Sequence, residues 1–145
     1  MNVFFDVDYT LIGGLYTLRP WTREIFNLLV KDGHKIYIWS GKGIRREDMD
    51  KHGLDELVTD YFVKPLWDSP VGFDETYAAN YRAQLRGLGI SVNPDFVVDD
   101  NVDLVRAFTG KRVSVYMDPN ENDRELLEVY KAIQIENHIQ NEKNA

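Results

Sequence analysis

Val3-Phe4-Phe5-Asp6-Val7-Asp8-Tyr9-Thr10 is an apolar run that ends in two acids and a hydroxyl residue. Its apolar residues fill consecutive positions instead of alternating, the mark of a strand buried on both faces of a parallel sheet. Working outward, short runs of the same kind recur at residues 35–39, 60–63, 95–98 and 112–116. Helical stretches are expected between them. One starts with Pro20 in its first turn, runs to Lys31 with Ile25, Leu28 and Leu29 as its apolar face, and stops at Gly33. Others are expected at residues 44–52, 74–88 and 102–108, and a last one at 123–139 before a frayed tail. Residues 9–19 read as irregular, with a turn at Gly13-Gly14, and residues 66–73, beside Pro65 and containing Pro70, as a loop. Strands alternating with helices predict a single α/β domain over residues 1–145: a doubly wound, mainly parallel, Rossmann-like sheet covered on both faces. In such a sheet the ligand lies beyond the carboxyl ends of the strands, near the switch point of the strand order.

Those strand ends carry an unusual set of side chains. The first ends in Asp6, Asp8 and Thr10, the second in Ser40 and Gly41, the third in Lys64 and the fourth in Asp99 and Asp100, with Asp103 one helical turn on. Clustered carboxylates repel one another, and a hard divalent cation with oxygen ligands, Mg²⁺ above all, relieves that repulsion. The same cation suits a phosphoryl substrate. Asp6 can attack phosphorus and divide one difficult displacement into two easier ones. Asp8 lies two residues along an extended chain and points the same way, so it can protonate a leaving alcohol and then activate water. Ser40 and the amides that follow it, at the start of the next helix, can hold phosphoryl oxygens, and Lys64 can neutralise charge. Ser40 equally suits a capping role, and Asp103 an acid in a first helical turn.

In this order the residues resemble the haloacid dehalogenase (HAD) superfamily, in its phosphatase branch. The first motif of that family, an apolar strand followed by Asp-x-Asp-x-Thr, matches Asp6, Asp8 and Thr10; the second matches Ser40, the third Lys64, and the acidic fourth Asp99, Asp100 and Asp103. The resemblance implies Asp6 as nucleophile and metal ligand, and Asp8 as general acid/base with its backbone carbonyl on Mg²⁺. It implies that Thr10 orients the loop, Ser40 and Lys64 bind phosphate, and Asp99 ligates the metal. Asp100 or Asp103 then serves the metal through water or positions Lys64. Tyr9 departs from the pattern, since the family often has Gly there. With 29 residues between Thr10 and Ser40, and 34 between Lys64 and Asp99, no substantial cap domain fits. The resemblance is therefore to capless members, which act on phosphoproteins, nucleic acids or small phosphorylated metabolites, or cover an open site by homo-oligomerising. Residues 9–19 are then a small flap, with Tyr16, Arg19 and the loop at 66–73 as substrate contacts.

Composition narrows the alternatives. The 145 residues suffice for one core, and 43% hydrophobic with 28% charged residues is the balance of a globular chain. With no cysteine, thiolate zinc sites, disulfide scaffolds and cysteine nucleophiles are excluded. No signal peptide and no membrane-spanning run is evident, which fits a cytoplasmic protein. The net charge of −7 makes nucleic acid a less favourable partner than a small phosphomonoester or a phosphoprotein. Lys42, Arg45 and Arg46 either attract an anionic substrate or form a solvated helix face, and His34, His52 and His138 have no metal-site spacing. Rival functions are a receiver-like signalling module, a HAD-like binding protein without catalysis, and a phosphotransferase. Receivers place their acid pair on the first strand and their lysine near the last, whereas here Lys64 precedes Asp99 and Asp100.

Overall fold

Val3 and Phe5 face one side of a sheet and Phe4 the other, as the two-residue period of a strand requires. The computed structural model describes residues 1–65 and 75–145, the side chains of residues 75–77 excepted. Among them the elements are β1 (Asn2–Phe5), α1 (Thr22–Lys31), β2 (Lys35–Ser40), α2 (Arg46–Lys51), β3 (Asp60–Val63), α3 (Glu75–Gly87), β4 (Phe96–Asp99), α4 (Val102–Ala107), β5 (Gly110–Arg112) and α5 (Glu125–Lys143). All the strand pairings are parallel, in the order β3-β2-β1-β4-β5. This is a Rossmann-like α/β fold. The order runs outward from β1 through β2 to β3, then returns to place β4 against the other side of β1. The switch point therefore lies between β1 and β4.

Two cores follow from the strand period. On one face Val3, Phe5, Ile36, Ile38 and Val98 meet Ile25, Phe26 and Leu29 of α1, Met49 of α2, and Leu126, Val129 and Ile133 of α5. On the other, Phe4, Tyr37, Trp39 and Val97 meet Ala78 and Tyr81 of α3 and Leu104 and Ala107 of α4. Burial of this apolar surface is the main stabilising contribution. Among the described residues no helix is long and apolar enough to cross a membrane.

Several expectations are corrected. In α1 the buried positions are Thr22, Ile25, Phe26 and Leu29, while Leu28 lies on the exposed side. Pro20 precedes α1 by two residues; Trp21, in the left-handed region, turns the chain into the helix. β5 comes earlier than expected, because Gly110 fits where a Cβ would lie 2.0 Å from the Val97 carbonyl oxygen. α5 stays helical to Lys143, through most of the segment expected to fray. The loop expected at 66–73 lies outside the described residues.

Candidate active site

Asp6 and Asp99 stand on the two strands that flank the switch point. The Asp6 amide donates to the Val98 carbonyl (3.0 Å), which continues the β1–β4 pairing one residue past the end of β1. The chain then folds tightly. The amides of Thr10, Leu11 and Ile12 all donate to the Val7 carbonyl, at 3.2, 2.9 and 3.0 Å. Tyr9 sits inside this turn at φ +63°, the left-handed conformation that glycine adopts most easily. Two hydrogen bonds hold it there: its amide donates to Ile12 (2.8 Å), and its carbonyl accepts from the Tyr116 amide (2.8 Å). The turn brings the buried Thr10 hydroxyl back to donate to Asp6 Oδ2 (3.0 Å).

Lys64 reaches the same point from the far side of the sheet. Its amide donates to the Ser40 carbonyl (3.0 Å), which extends the β2–β3 pairing beyond β3. Its Nζ then donates to Asp6 Oδ1 and to Asp99 Oδ2, each at 3.1 Å. Asp99 Oδ1 accepts from the Asn101 amide (2.9 Å), and Asn101 in turn caps α4 by accepting from the Asp103 amide. Asp6 is 4% exposed and Asp99 fully buried. Oxygens of Asp6, Asp99 and Asp100 lie within 4.8 Å of one another. Asp103 is outside that group; it sits in the first turn of α4, where an acid favours the helix.

Electrostatics sharpen the picture. Burial is the largest influence on Asp6 and pushes its pKa above the ordinary carboxylate value, although Lys64 and Thr10 oppose this. Burial also raises Asp99, and the charge of Asp6 adds to it. Burial works against charge on Lys64, but the two carboxylates more than offset it and hold the ammonium protonated. One buried cation thus faces three acids, and the cluster carries excess negative charge. The donors are all oxygens, with no imidazole or thiolate among them, a set that suits a hard divalent cation.

Ser40 is buried at the end of β2. Its Oγ accepts from the Lys42 amide (3.1 Å) and lies 3.3 Å from an Arg45 nitrogen. It was expected to open a helix. The turn through Gly41 and Gly43 has Gly43 at φ +109°, and the helix expected from residue 44 starts only at Arg46. Ser40 therefore organises that turn and does not cap α2.

Asp8 leaves the cluster on the side of this turn. Arg45 grips it with two nitrogens, at 2.7 Å to Oδ2 and 3.1 Å to Oδ1. The Arg45 Nε donates to Asp48, which also accepts from the Tyr16 hydroxyl. Tyr16 is thereby pinned to α2, stacked on His52 at 4.9 Å. In the sequence Arg45 stands out only as part of a basic stretch with Lys42 and Arg46. Its spacing from Ser40 is the signal that could have singled it out, because a five-residue turn returns it to the end of β2.

Arg19, expected as a substrate contact, is a buried structural residue. It donates to Asp123 at 3.0 Å through two nitrogens, to the carbonyls of Thr10 (3.2 Å) and Ser114 (3.0 Å), and to Glu125. Its donors are spent fastening the end of the 9–19 segment, expected as a flap, to the segment before α5.

The fold and the site together define a Rossmann-like α/β protein with an acidic, oxygen-only cluster at its switch point. Two solved structures share that fold. An uncharacterized protein from Listeria monocytogenes serotype 4b superposes with a TM-score of 0.59 at 13% identity, over 94% of this chain and 98% of the other. The core domain of a putative phosphoglycolate phosphatase from Streptococcus pneumoniae TIGR4 superposes with a TM-score of 0.54 at 14% identity, over 92% and 94%. Neither a protein-family model nor a curated protein matches the sequence.

Proposed function

We propose that this protein is a Mg²⁺-dependent phosphomonoester hydrolase of the HAD type without a cap domain, with Asp6 as its nucleophile. The observation that carries the reading is the meeting of Asp6 and Asp99 across the switch point, bridged by Lys64 and joined by Asp100. The streptococcal core domain, whose parent bears a phosphatase's name, lends support at the level of fold.

Asp6, Asp99 and Asp100 would hold the cation, together with the backbone carbonyl of Asp8. When bound, the cation supplies positive charge that neutralises these carboxylates and the phosphoryl oxygens. In the first step an Asp6 carboxylate oxygen attacks phosphorus, the bond to the ester oxygen breaks, and Asp8 gives that oxygen a proton. In the second, Asp8 takes a proton from water as the water oxygen attacks the aspartyl phosphate, which releases inorganic phosphate and restores the Asp6 carboxylate. Thr10 fixes the rotamer of Asp6, and Lys64 balances charge on the nucleophile and the transferring group. Ser40 and Gly41 line the phosphate side.

The test is hydrolysis of an aryl phosphate by wild type and Asp6→Asn, with Mg²⁺ and with chelator. Turnover that needs the metal and falls by at least about 10³-fold in Asp6→Asn is the expected result. Equal turnover by the two proteins would remove Asp6 from the mechanism.

A further inference from the structure

We propose that Arg45 is the specificity residue of this site: it recognises a carboxylate carried by the phosphomonoester, which takes the place of Asp8 in its fork. This rests on the phosphohydrolase reading and names its substrate class.

The Arg45 guanidinium is anchored independently of Asp8. Its Nε is held by Asp48, and Asp48 is held in turn by Tyr16 of the flap. The remaining edge of the guanidinium, with both terminal nitrogens, faces Asp8 and Ser40. Releasing Asp8 therefore leaves a positioned two-pronged donor beside the acid/base and the end of β2. Such a fork matches a carboxylate in a paired geometry. The group now in the fork is itself a carboxylate, that of Asp8, so the protein's own acid stands in for the substrate's.

The pairing also conflicts with the role of Asp8. Both of its oxygens accept from Arg45, at 2.7 and 3.1 Å. A competing carboxylate on the substrate displaces Asp8 from the anchored fork, gains the same two hydrogen bonds, and frees the Asp8 carboxylate for the reacting group. Lys42 supports the exchange: its ammonium is 3.7 Å from Asp8 Oδ2 and its side chain is 74% exposed. A net −7 protein thus sets two cations beside one acid, where an anionic substrate tail would lie.

The experiment is calorimetric titration of the Asp6→Asn protein, in Mg²⁺, with 3-phosphoglycerate and with glycerol 3-phosphate, which differ only in a carboxylate for a hydroxymethyl group. The expected result is about tenfold or greater preference for 3-phosphoglycerate, falling to about twofold or less when Arg45→Gln is added. Arg45→Lys, which keeps the charge and loses the fork, should fall between them. Equal affinities in the Asp6→Asn protein, no binding of either ester, or a preference that survives in Arg45→Gln would each overturn the proposal. Turnover of an aryl phosphate by wild type separates the two readings. A carboxylate preference in binding without any turnover would keep the role of Arg45 and remove the hydrolase.

Discussion

Asp99 is a fully buried acid that shares its one cation with Asp6. Burial and the neighbouring charge raise its pKa, so the folded protein favours the protonated form more than the unfolded chain does. The sign of the pH dependence follows. Above about pH 4 the unfolded carboxylates have lost their protons, while the folded pair still holds some, so this pair's contribution to stability is greatest at low pH and is lost as pH rises. Asp99→Asn keeps the shape and removes one of the crowded charges. The metal-free variant is expected to melt higher than wild type by about 3 °C for each kcal/mol of repulsion relieved, more so at high pH, and, under the proposed function, to lose aryl phosphate turnover. Melting curves across pH check this; a lower Tm at every pH would mean that Asp99 stabilises the fold through Lys64. Arg19 is the opposite case. It is buried with its donors satisfied, so Arg19→Met strands Asp123 and two carbonyls, and a loss of about 3–5 kcal/mol in chemical denaturation is expected. Sequence alone offered Asp6, Asp8, Ser40, Lys64 and Asp99 because each follows an apolar strand. It misplaced Arg19 because Asp123 and Glu125, its partners, lie more than a hundred residues away, and no local pattern marks such a pair.

The elements were legible where a period was strong. β1, β2 and β4 are apolar throughout or nearly so, and they emerge as the buried strands of the sheet. The existence of β5 was legible but its position was not: the strand expected at 112–116 pairs with β4 only over Gly110–Arg112, and Lys111 and Arg112 are exposed. What fixes its register is the absence of a side chain at Gly110. A Cβ there would sit 2.0 Å from the Val97 carbonyl oxygen, so Gly110→Ala must push β5 off β4 and should cost about 1–3 kcal/mol. The flap depends on the same kind of contact. A Cβ at Gly13 would fall 2.3 Å from the Tyr116 carbonyl oxygen, and Arg19 anchors the other end of the segment. Gly13→Ala is therefore expected to lower turnover, because the flap carries Tyr16 and through it the Asp48–Arg45 anchor. A substitution of similar size at Gly33, where a Cβ would meet nothing within 4 Å, is strained only by its φ of +87°. Comparing turnover in the two variants at equal folded fraction separates the steric effect on the flap from a general loss of stability.

At the scale of the whole molecule, the sheet order sends the ends of β1 and β4 to one place, and Asp6, Asp99 and Asp100 meet there. A protein of net charge −7 then holds Asp6, Asp99 and Asp100 within 4.8 Å of one another, opposed by Lys64. Such a cluster is destabilising to the fold and favourable to a cation, and the two effects share one cause. A ligand that binds only the folded state raises its stability by an amount that grows with the logarithm of ligand concentration. Mg²⁺ also competes with protons for the same oxygens, and Asp6 and Asp99 hold their protons to a higher pH than ordinary carboxylates. Added Mg²⁺ should therefore raise Tm more at about pH 8 than at about pH 5, and chelator should reverse the gain. In Asp99→Asn the gain should shrink at both pH values, because a ligand has gone. In Asp8→Asn it should largely remain, because the Asp8 side chain is engaged with Arg45 and stands apart from the three-acid group. Equal shifts at both pH values would separate the cation from the buried acids, and an equal loss in Asp8→Asn would bring the Asp8 side chain into its coordination.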